Sequence, residues 1–387
     1  MPVVGKIEQL EQPVSKDLSQ GHEHLIPKLR QAIAQNLAPQ VTSIDLKGEY
    51  PTQFMFEIGK LGAYSQAVTS ECGGVGSGLQ SALRAIEAVS ETCMSTGFMV
   101  WCHNACAWYI QNSNNDYLKT QILPQVAQGK VLCGTGLSNP MKHFAGIEKI
   151  AIAAKRCEGG YILNGMLPWV SNIDVDHYWA IAAKVEGGED YLMGVVSGNL
   201  KGLTLRQNAH FIALEGTKTY SCVFRDVFLQ DQWVLAAPCE NYVEKIKPGF
   251  ILTQVGMGLG VISSCIDLIK KTNVNKSHVN CYLEDGAEEL EEELDALRMK
   301  SYLLAEIIHC GGRIFSKDIL KGVIECRVAS SELSLRASQS AMLHAGARGY
   351  IHGSEFERKL RESYFVAIVT PALKHLKKML YKMQFNS

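Results

Sequence analysis

The pattern of apolar and polar positions divides the chain into three zones. In residues 21–128, apolar side chains recur at spacings of three and four, which is typical of amphipathic helices. In residues 132–235, short runs rich in Val, Ile, Tyr and Phe alternate with Gly, Asn and Asp turns, which predicts β-strands. From about residue 242 to the end, the spacing is helical again. The order predicts an α+β fold.

We expect three parts with boundaries at the changes of pattern. They are an N-terminal α-helical domain at residues 1–130, a middle β-domain at 131–238 and a C-terminal helical domain at 239–387. A chain of 387 residues is long enough for two or three domains. Because no internal repeat or low-complexity linker separates the parts, we expect them to pack together as one unit.

Composition narrows the classes of function and partner. The chain has 38 basic and 39 acidic residues and no sustained basic stripe, so nucleic acid is excluded as a partner. Its twelve cysteines include no CxxC pair and no zinc-like spacing, and we expect free thiols that pack as small hydrophobic groups. This usage is typical of a reducing compartment and predicts a cytoplasmic protein.

Two segments were considered for targeting or membrane insertion. The N-terminal residues 1–16 have no apolar core of the kind that signal peptides carry. The most apolar stretch, residues 250–269, is long enough to span a bilayer but contains Thr, Gln, Ser and several glycines. We therefore expect a buried core helix there and no membrane association.

Short motifs follow one another along nearly the whole chain. Each is weak alone, and their order carries the argument. In chain order they are Leu61-Gly62 with Glu71-Cys72-Gly73-Gly74-Val75-Gly76, Ile122-Leu123-Pro124, Leu137-Ser138-Asn139-Pro140, Gly160-Tyr161-Ile162-Leu163-Asn164-Gly165, Trp169-Val170-Ser171-Asn172, Phe224-Arg225-Asp226-Val227, Gly346-Ala347-Arg348-Gly349-Tyr350, and Glu357-Arg358-Lys359-Leu360-Arg361-Glu362.

This series resembles the motifs of the acyl-CoA dehydrogenase superfamily. The resemblance implies an N-terminal α-helical domain, a middle β-barrel or β-sandwich domain and a C-terminal four-helix bundle. It also implies FAD as the cofactor and a homotetramer in which FAD lies near a subunit interface. The activity implied is the oxidation of an acyl thioester, in which a base removes the α-proton and the flavin accepts a hydride.

The resemblance assigns the flavin site to two motifs. In the first motif, Leu137-Ser138, the serine supplies a hydroxyl to the isoalloxazine ring. In the second, Trp169-Val170-Ser171, the serine supplies another hydroxyl and Trp169 supplies an aromatic face. The alternative is that Trp169 is a core aromatic residue on a strand and that both serines are turn residues.

Other parts of the FAD site depart from the family pattern. Gly346 and Ala347 stand where a neighbouring subunit's glycines would contact FAD, with alanine in place of the second glycine. The usual pyrophosphate-binding arginine is absent, and Lys276 or His278 is the nearest substitute.

Both usual positions of the catalytic glutamate are vacant. Thr370 stands at the more common position and Phe250 at the other, and we count Thr370 among the residues that border the cofactor. The nearest acidic residues upstream are Glu244 and Glu240. We expect Glu244 to lie buried beside flavin and substrate as the base, and the alternative is a solvated glutamate at a helix start.

The sequence also departs from the family where coenzyme A is held. The serine-bearing motif after Pro140 is missing, and the chain is similar to the branch that oxidises prolyl groups on carrier proteins, as in cyanobacterial alkaloid pathways. The expected partner is an acyl or peptidyl carrier protein with a phosphopantetheine-linked substrate, or else a small acyl-CoA. An acidic carrier would dock on a basic patch. Two patches are available, the Lys142-His143 loop and the tail with Lys374, His375, Lys377, Lys378 and Lys382, although the tail could equally be a solvated helix face.

Two other classes of function stay open at this point. A flavin-dependent oxidase or monooxygenase of the same fold needs no base for a thioester α-proton. A catalytically silent scaffold would need neither base nor flavin. The electron acceptor of a dehydrogenase would be a flavoprotein or oxygen, and the sequence does not choose between them.

Overall fold

A computed structural model describes residues 19–310 and 317–385 of the chain. The first eighteen residues, where no signal peptide is expected, lie outside the described residues. The N-terminal part is helical, as predicted. Its α-helices are α1 (Ser19–Ala32), α2 (Val41–Lys47), α3 (Thr52–Lys60), α4 (Leu79–Thr92), α5 (Met94–Asn112) and α6 (Leu123–Ala127).

Helix α5 forms the centre of this helical part. Every residue from Met94 to Ile110 is buried, so the helix is surrounded on all sides instead of showing one apolar face. Cys93, in an extended conformation, separates α5 from α4. The buried helix brings three other parts of the chain together, because α4, α8 and the first β-strand all pack against it.

The middle part is an eight-stranded mixed sheet. Its strands are β1 (Cys133–Thr135), β2 (Ile152–Cys157), β3 (Gly160–Val170), β4 (Tyr178–Val185), β5 (Tyr191–Ser197), β6 (Leu203–Arg206), β7 (Tyr220–Gln230) and β8 (Val234–Ala236). The strand order is β6-β7-β3-β2-β4-β5-β8, and β1 pairs in parallel with β4. One short helix, α7 (Ser138–Phe144), follows β1.

The two faces of the sheet serve two separate cores. On β4, Ile181 and Ala183 pack with residues of β3 and β7 in a core inside the β-domain. The alternate residues Ala180 and Ala182 belong to the large core shared with the helices. Successive side chains of a strand point to opposite faces, so one strand joins both cores. The β-domain is thereby fixed against α5.

The C-terminal part returns to helices. They are α8 (Glu240–Thr253), α9 (Val255–Asn280), α10 (Ala287–His309), α11 (Lys317–Ala345), α12 (Glu355–Ile368) and α13 (Leu373–Phe385). Helix α9 packs against α4, α10 and α11, and α11 packs against α12 and α13. The fold prediction is confirmed. The predicted boundaries near 130 and 238 fall in the connections before β1 and before α8, and the division into domains stays a prediction.

The apolar stretch 250–269 lies in the continuous helical segment 240–280. Within the described residues, this segment alone is long and apolar enough to cross a membrane, and 94% of its most apolar window is buried inside the protein. The predicted buried core helix is confirmed. The cysteines also pack as small apolar groups, since all twelve are free and eight are buried. Burial raises the pKa of Cys265 to about 12.

His103 joins α5 to the start of the sheet through both ring nitrogens. It is fully buried, its Nε2 lies 2.9 Å from the Val126 carbonyl, and its Nδ1 accepts a hydrogen bond from the Cys133 backbone N–H at 3.2 Å. These two bonds require the neutral tautomer that carries its proton on Nε2, since a proton on Nδ1 would meet the Cys133 N–H. Burial lowers the pKa of His103 to about 3.

The stability of the fold should therefore fall with acidification. The folded-state pKa lies below the unfolded value of about 6.5, so the unfolded chain binds the extra proton between these limits. The contribution of neutral His103 is complete above pH ~6.5 and is lost at up to about 1.4 kcal/mol per pH unit as the pH falls towards 3. Urea unfolding of the wild type and of His103→Gln at several pH values measures the difference. Equal slopes for the two proteins below pH ~6 would contradict this role.

Candidate active site

Two residues from distant parts of the chain form a hydroxyl pair. Ser138 is the first residue of α7, and Thr370 follows the end of α12, and their side-chain oxygens lie 2.8 Å apart. The backbone carbonyl of Thr370 accepts a hydrogen bond of 2.8 Å from the side-chain amide of Gln254, at the junction of α8 and α9. The structure thus brings together two residues that the sequence predicted for the site. Within the described residues, no carboxylate is hydrogen-bonded to either hydroxyl.

The second serine, Ser171, is held where β3 ends. A β-carbon on Gly134 would lie 2.3 Å from the Ser171 carbonyl oxygen, so only glycine allows this approach of β1 to the chain after β3. Asn172 is fully buried in a left-handed conformation (φ 58°) and donates a 2.7 Å hydrogen bond to the Cys133 carbonyl. The Ser171 hydroxyl lies 2.7 Å from that of Thr219. The β3 end therefore presents a fixed hydroxyl.

Trp169 precedes this hydroxyl and is open to solvent. Its side chain is 57% exposed, and the ring of Phe211 lies edge-on to it at 6.1 Å. The alternative interpretation of Trp169 as a core aromatic residue is therefore wrong, and its role beside the flavin stays a prediction. An uncovered indole beside fixed hydroxyls suits a planar ring with a polar edge.

The other two residues of these motifs have buried side chains. Leu137 belongs to the core shared with the helices, and Val170 belongs to the core of the β-domain. Leu137 is 0% exposed and Val170 is 1% exposed, so neither residue offers a surface to a cofactor in this conformation of the chain. Their cofactor-binding role stays a prediction, restricted in this way.

Gly346 and Ala347 lie at the exposed turn that follows α11. Gly346 has a positive φ of 64°, which ends the helix in the way glycine favours. Lys276, one of the predicted substitutes for the missing arginine, donates a 3.1 Å hydrogen bond to the Ala345 carbonyl, immediately before this turn. The structure thus groups Lys276 with the turn. Among the described residues of this chain, no hydrogen bond joins the turn to Ser138, Ser171 or Thr370.

Thr370 also borders a cavity of about 680 Å³. The cavity is closed on one side by the segment after α7 and on the other by the end of α12 and the start of α13. Its lining residues are Lys142, Ile147, Glu148, Ala367, Ile368, Thr370, Ala372, Leu373, Lys374, His375 and Lys377. Lys142 of one predicted basic patch and Lys374, His375 and Lys377 of the other therefore line one cavity, called here the basic cavity, whereas His143, Lys378 and Lys382 do not line it.

Two of the three lysines that line this basic cavity are paired with carboxylates, and one of these pairs joins Lys377 to Glu332 at 2.6 Å. Lys142 forms a 3.3 Å ion pair with Glu148, whose carboxylate also accepts from Asn139 at 2.8 Å. The pKa of His375 is lowered, first by burial and then by the neighbouring charges of Lys374, Lys142 and Lys378. Burial is the main cause of this lowered pKa, and the three lysines add to it while Glu148 opposes it, so the cavity carries a mixture of charges in which lysines outnumber carboxylates.

Glu244 does not occupy the environment expected of it. Its side chain is 56% exposed and forms an ion pair with Lys247 one turn further along α8. Counted along the helix at 1.5 Å per residue, it lies about 15 Å from Gln254, which contacts Thr370. The expected burial beside the cofactor is wrong, because residue 244 faces solvent while its neighbour Val243 faces the core. The catalytic role of Glu244 stays a prediction that the geometry does not support.

The other vacant glutamate position, Phe250, lies in a packed aromatic cluster. Phe250 is 2% exposed, and its ring lies 5.1 Å from Trp101 and 6.2 Å from Tyr109. Trp101 in turn stacks with Phe98 at 5.7 Å, and Phe98 meets Phe365 edge-on at 4.7 Å. These rings fill the space between α5, α8 and α12. The position of the second usual glutamate is therefore filled by packed aromatic rings.

Two polar residues at the site escaped the sequence analysis. Gln254 and Arg327 are fully buried, and the guanidinium Nε of Arg327 donates a 3.1 Å hydrogen bond to the Gln254 side-chain oxygen. Gln254 carried a signal, since it is a polar residue within the most apolar stretch of the chain. Arg327 gave no such signal, because an arginine in a helical segment is normally expected at an exposed position.

Comparisons with known proteins support the resemblance drawn from the motifs. Residues 19–130 match the family described as "Acyl-CoA dehydrogenase, N-terminal domain". The mitochondrial isovaleryl-CoA dehydrogenase of Solanum tuberosum is 22% identical over 365 residues, which cover 87% of this chain and 84% of that protein. These matches are to acyl-CoA dehydrogenases, and they agree with the resemblance drawn from the motifs.

Solved structures show the same fold over almost the full length. Glutaryl-coenzyme A dehydrogenase in complex with glutaryl-CoA has a TM-score of 0.83 at 18% identity, covering 97% of both chains. The FAD complex of PigA has a TM-score of 0.81 at 15% identity, covering 98% of this chain and 100% of the other. At this level of identity the likeness shows the fold.

Proposed function

We propose that this chain is a flavin-dependent oxidoreductase that oxidises a small, amine-bearing acyl group held as a thioester. A prolyl group on the phosphopantetheine arm of a carrier protein fits the site best. The observation that carries the proposal is the Ser138–Thr370 hydroxyl pair, which lies beside a basic cavity and, in the part of the chain that the structure describes, has no carboxylate hydrogen-bonded to it. The similarity to acyl-CoA dehydrogenases supports the general activity, which is flavin-dependent oxidation. The residues of the site are our reason for restricting the substrate to an amine-bearing acyl group.

The cofactor in this proposal is FAD. Ser138 and Ser171 offer hydroxyls to its polar edge, and the exposed indole of Trp169 offers a face for stacking. When bound, the flavin accepts a hydride from the substrate. The residues present fit this group, because an aromatic face and hydrogen-bond donors occur together at the end of β3.

An amine-bearing substrate removes the need for a resident base. Removal of a thioester α-proton requires a positioned base, and the described contacts of Thr370 and Phe250 supply none. In a prolyl group whose ammonium nitrogen has first lost a proton to water, the nitrogen lone pair forms the new C=N bond as a hydride leaves the adjacent carbon for the flavin. The N–H proton then passes to water, so atoms and charge balance without a carboxylate.

A carrier protein supplies the thioester in this proposal. Lys142, Lys374 and Lys377 would bind the phosphate of the phosphopantetheine arm and the acidic surface of the carrier. A small acyl-CoA also carries phosphates and is the alternative substrate. A cytoplasmic homotetramer that passes electrons to a flavoprotein or to oxygen completes the proposal.

Glu244→Gln separates this chemistry from base-assisted dehydrogenation. Because Glu244 is exposed and paired with Lys247, its replacement should change the rate at which prolyl carrier protein bleaches the flavin by less than about twofold. Anaerobic stopped-flow absorbance measures the rate. A loss of 100-fold or more would restore Glu244 as the base and contradict the amine mechanism.

A second candidate function is that of a flavin-dependent monooxygenase. The same observation favours it, since such an enzyme needs no carboxylate at Thr370 or Phe250. Mixing the reduced protein with oxygen in a stopped-flow instrument discriminates the two. A long-lived absorbing species together with an oxygenated product would favour the monooxygenase, and rapid return of oxidised flavin with an imine product would favour the proposed oxidation.

A further inference from the structure

A guanidinium group is buried in α11, and no carboxylate from residues 19–310 or 317–385 is paired with it. The side chain of Arg327 is 0% exposed, and burial lowers its pKa to about 9. Among the described residues, its hydrogen bonds go to three neutral acceptors, the Gln254 side-chain oxygen, the Ser331 hydroxyl and the Val366 carbonyl. A buried cation with no counter-ion is costly, and apolar residues of similar volume commonly replace such groups without loss. Stability alone therefore gives no reason for this arginine.

The acceptors of Arg327 lead to the segment that carries Thr370. Val366 lies in the last turn of α12, where backbone carbonyls lack intrahelical partners and the helix dipole is negative. Gln254 accepts from Arg327 at 3.1 Å and donates to the Thr370 carbonyl at 2.8 Å. Arg327 thus holds residues 366–370 at two points, directly at one end and through Gln254 at the other.

The hydrogen-bonded chain ends at the hydroxyl pair. Beyond the Thr370 carbonyl, the Thr370 hydroxyl meets Ser138 at 2.8 Å on the opposite side of the site. The residues that hold Thr370 come from α11 and from the α8–α9 junction, and neither element contributes a lining residue to the basic cavity. Arg327 and Gln254 therefore contact the Thr370 segment from the protein interior and not from the cavity.

We propose that Arg327 and Gln254 are positioning residues, which fix the backbone of Thr370 so that its hydroxyl stays directed at Ser138 and at the bound thioester. What the hydroxyl does for the reaction rests on the proposed function. The tether itself is a property of the protein alone and can be measured without cofactor or substrate.

Gln254→Glu separates this role from a structural one. The carboxylate keeps an acceptor for Arg327 and gives its charge a partner, so the midpoint of thermal unfolding should hold or rise. It removes the donor that Thr370 needs and places two oxygens against each other. We therefore expect faster amide hydrogen exchange in the peptide that covers residues 366–374. Ser334→Ala is the matched control. It changes a buried polar side chain of α11 that is not hydrogen-bonded to Arg327, so hydrogen exchange in residues 366–374 should stay as in the wild type.

A double-mutant cycle with Thr370→Val tests the link to the reaction. If Gln254 acts through the Thr370 hydroxyl, Q254E and T370V should each lower kcat about tenfold, and the double variant should also lose about tenfold instead of a hundredfold. KM for the carrier-bound prolyl group should change less than about twofold. Arg327→Lys, which keeps the charge but not the forked geometry, should resemble Q254E.

The two arms of the experiment fail separately. Unchanged hydrogen exchange in Q254E, or losses in kcat that multiply in the double variant, would overturn the positioning role. A wild-type protein that binds FAD but does not oxidise the prolyl thioester would overturn the proposed function, and the exchange measurement would still decide whether the tether exists.

Discussion

Replacing Lys374 and Lys377 together by glutamate should raise the KM for a carrier-bound prolyl substrate by about 100-fold. Both residues line the basic cavity beside Thr370 and lie on one helix, α13. The change turns attraction of a phosphate and of an acidic carrier into repulsion, while the hydroxyl pair is left intact. The rate of flavin reduction at saturating substrate should therefore change less than about threefold. Steady-state kinetics at two salt concentrations measure both effects, and the difference from wild type should shrink at high salt.

Two controls test the specificity of this result. Lys28→Glu with Lys271→Glu makes the same change in net charge at exposed residues that do not line the cavity. Its KM should stay within about twofold of the wild-type value. Prolyl-pantetheine without a phosphate should be oxidised equally by wild type and by the Lys374 and Lys377 variant. Equal sensitivity of both lysine pairs would mean that net charge, and not this cavity, sets the affinity.

Replacing Trp169 by alanine should lower the affinity for FAD by about 10- to 100-fold, so that the purified protein is largely colourless. The indole is 57% exposed beside the fixed Ser171 hydroxyl, and its removal takes away the aromatic face proposed to stack on the flavin. Titration of the apoprotein with FAD, followed by flavin fluorescence, measures the affinity. Trp169→Phe should recover most of it.

Met166→Ala is the matched control for this experiment. Met166 lies on the same strand, β3, and is 50% exposed, but no predicted cofactor contact includes it. Its replacement should leave FAD affinity unchanged within about twofold. If W169A binds FAD as tightly as M166A does, the flavin lies elsewhere and the assignment of the β3 end is wrong.

The fold was accessible from the sequence because its signals are local. Spacing of three and four in the helices, Gly and Asn turns between strands, and an ordered motif series each report on a short window. The apolar stretch 250–269 was correctly read as a core helix for the same reason, since Thr253, Gln254 and its glycines are visible in the sequence alone.

The site was only partly accessible because it depends on contacts between distant residues. Ser138 and Thr370 are 232 positions apart, and neither motif predicts that their hydroxyls form a hydrogen bond. Glu244 was expected to be buried because it is the nearest acidic residue upstream of the vacant glutamate position at Phe250. A helix turns by 100° per residue, however, so Val243 faces the core while Glu244 faces solvent. Arg327 was invisible because a charged residue in a helix is normally exposed.

The most direct test of the account is the response of the FAD-loaded protein to two matched thioesters without oxygen. One carries a prolyl group on a phosphopantetheine carrier protein, and the other carries cyclopentanecarbonyl, which has the same ring without nitrogen. The account predicts that the prolyl thioester bleaches the flavin and that the cyclopentanecarbonyl thioester does so at least about 100-fold more slowly, because only the amine supplies the electron pair that replaces a base. Equal bleaching by both would show base-assisted removal of the α-proton and would contradict the account. Bleaching by neither would contradict it as well.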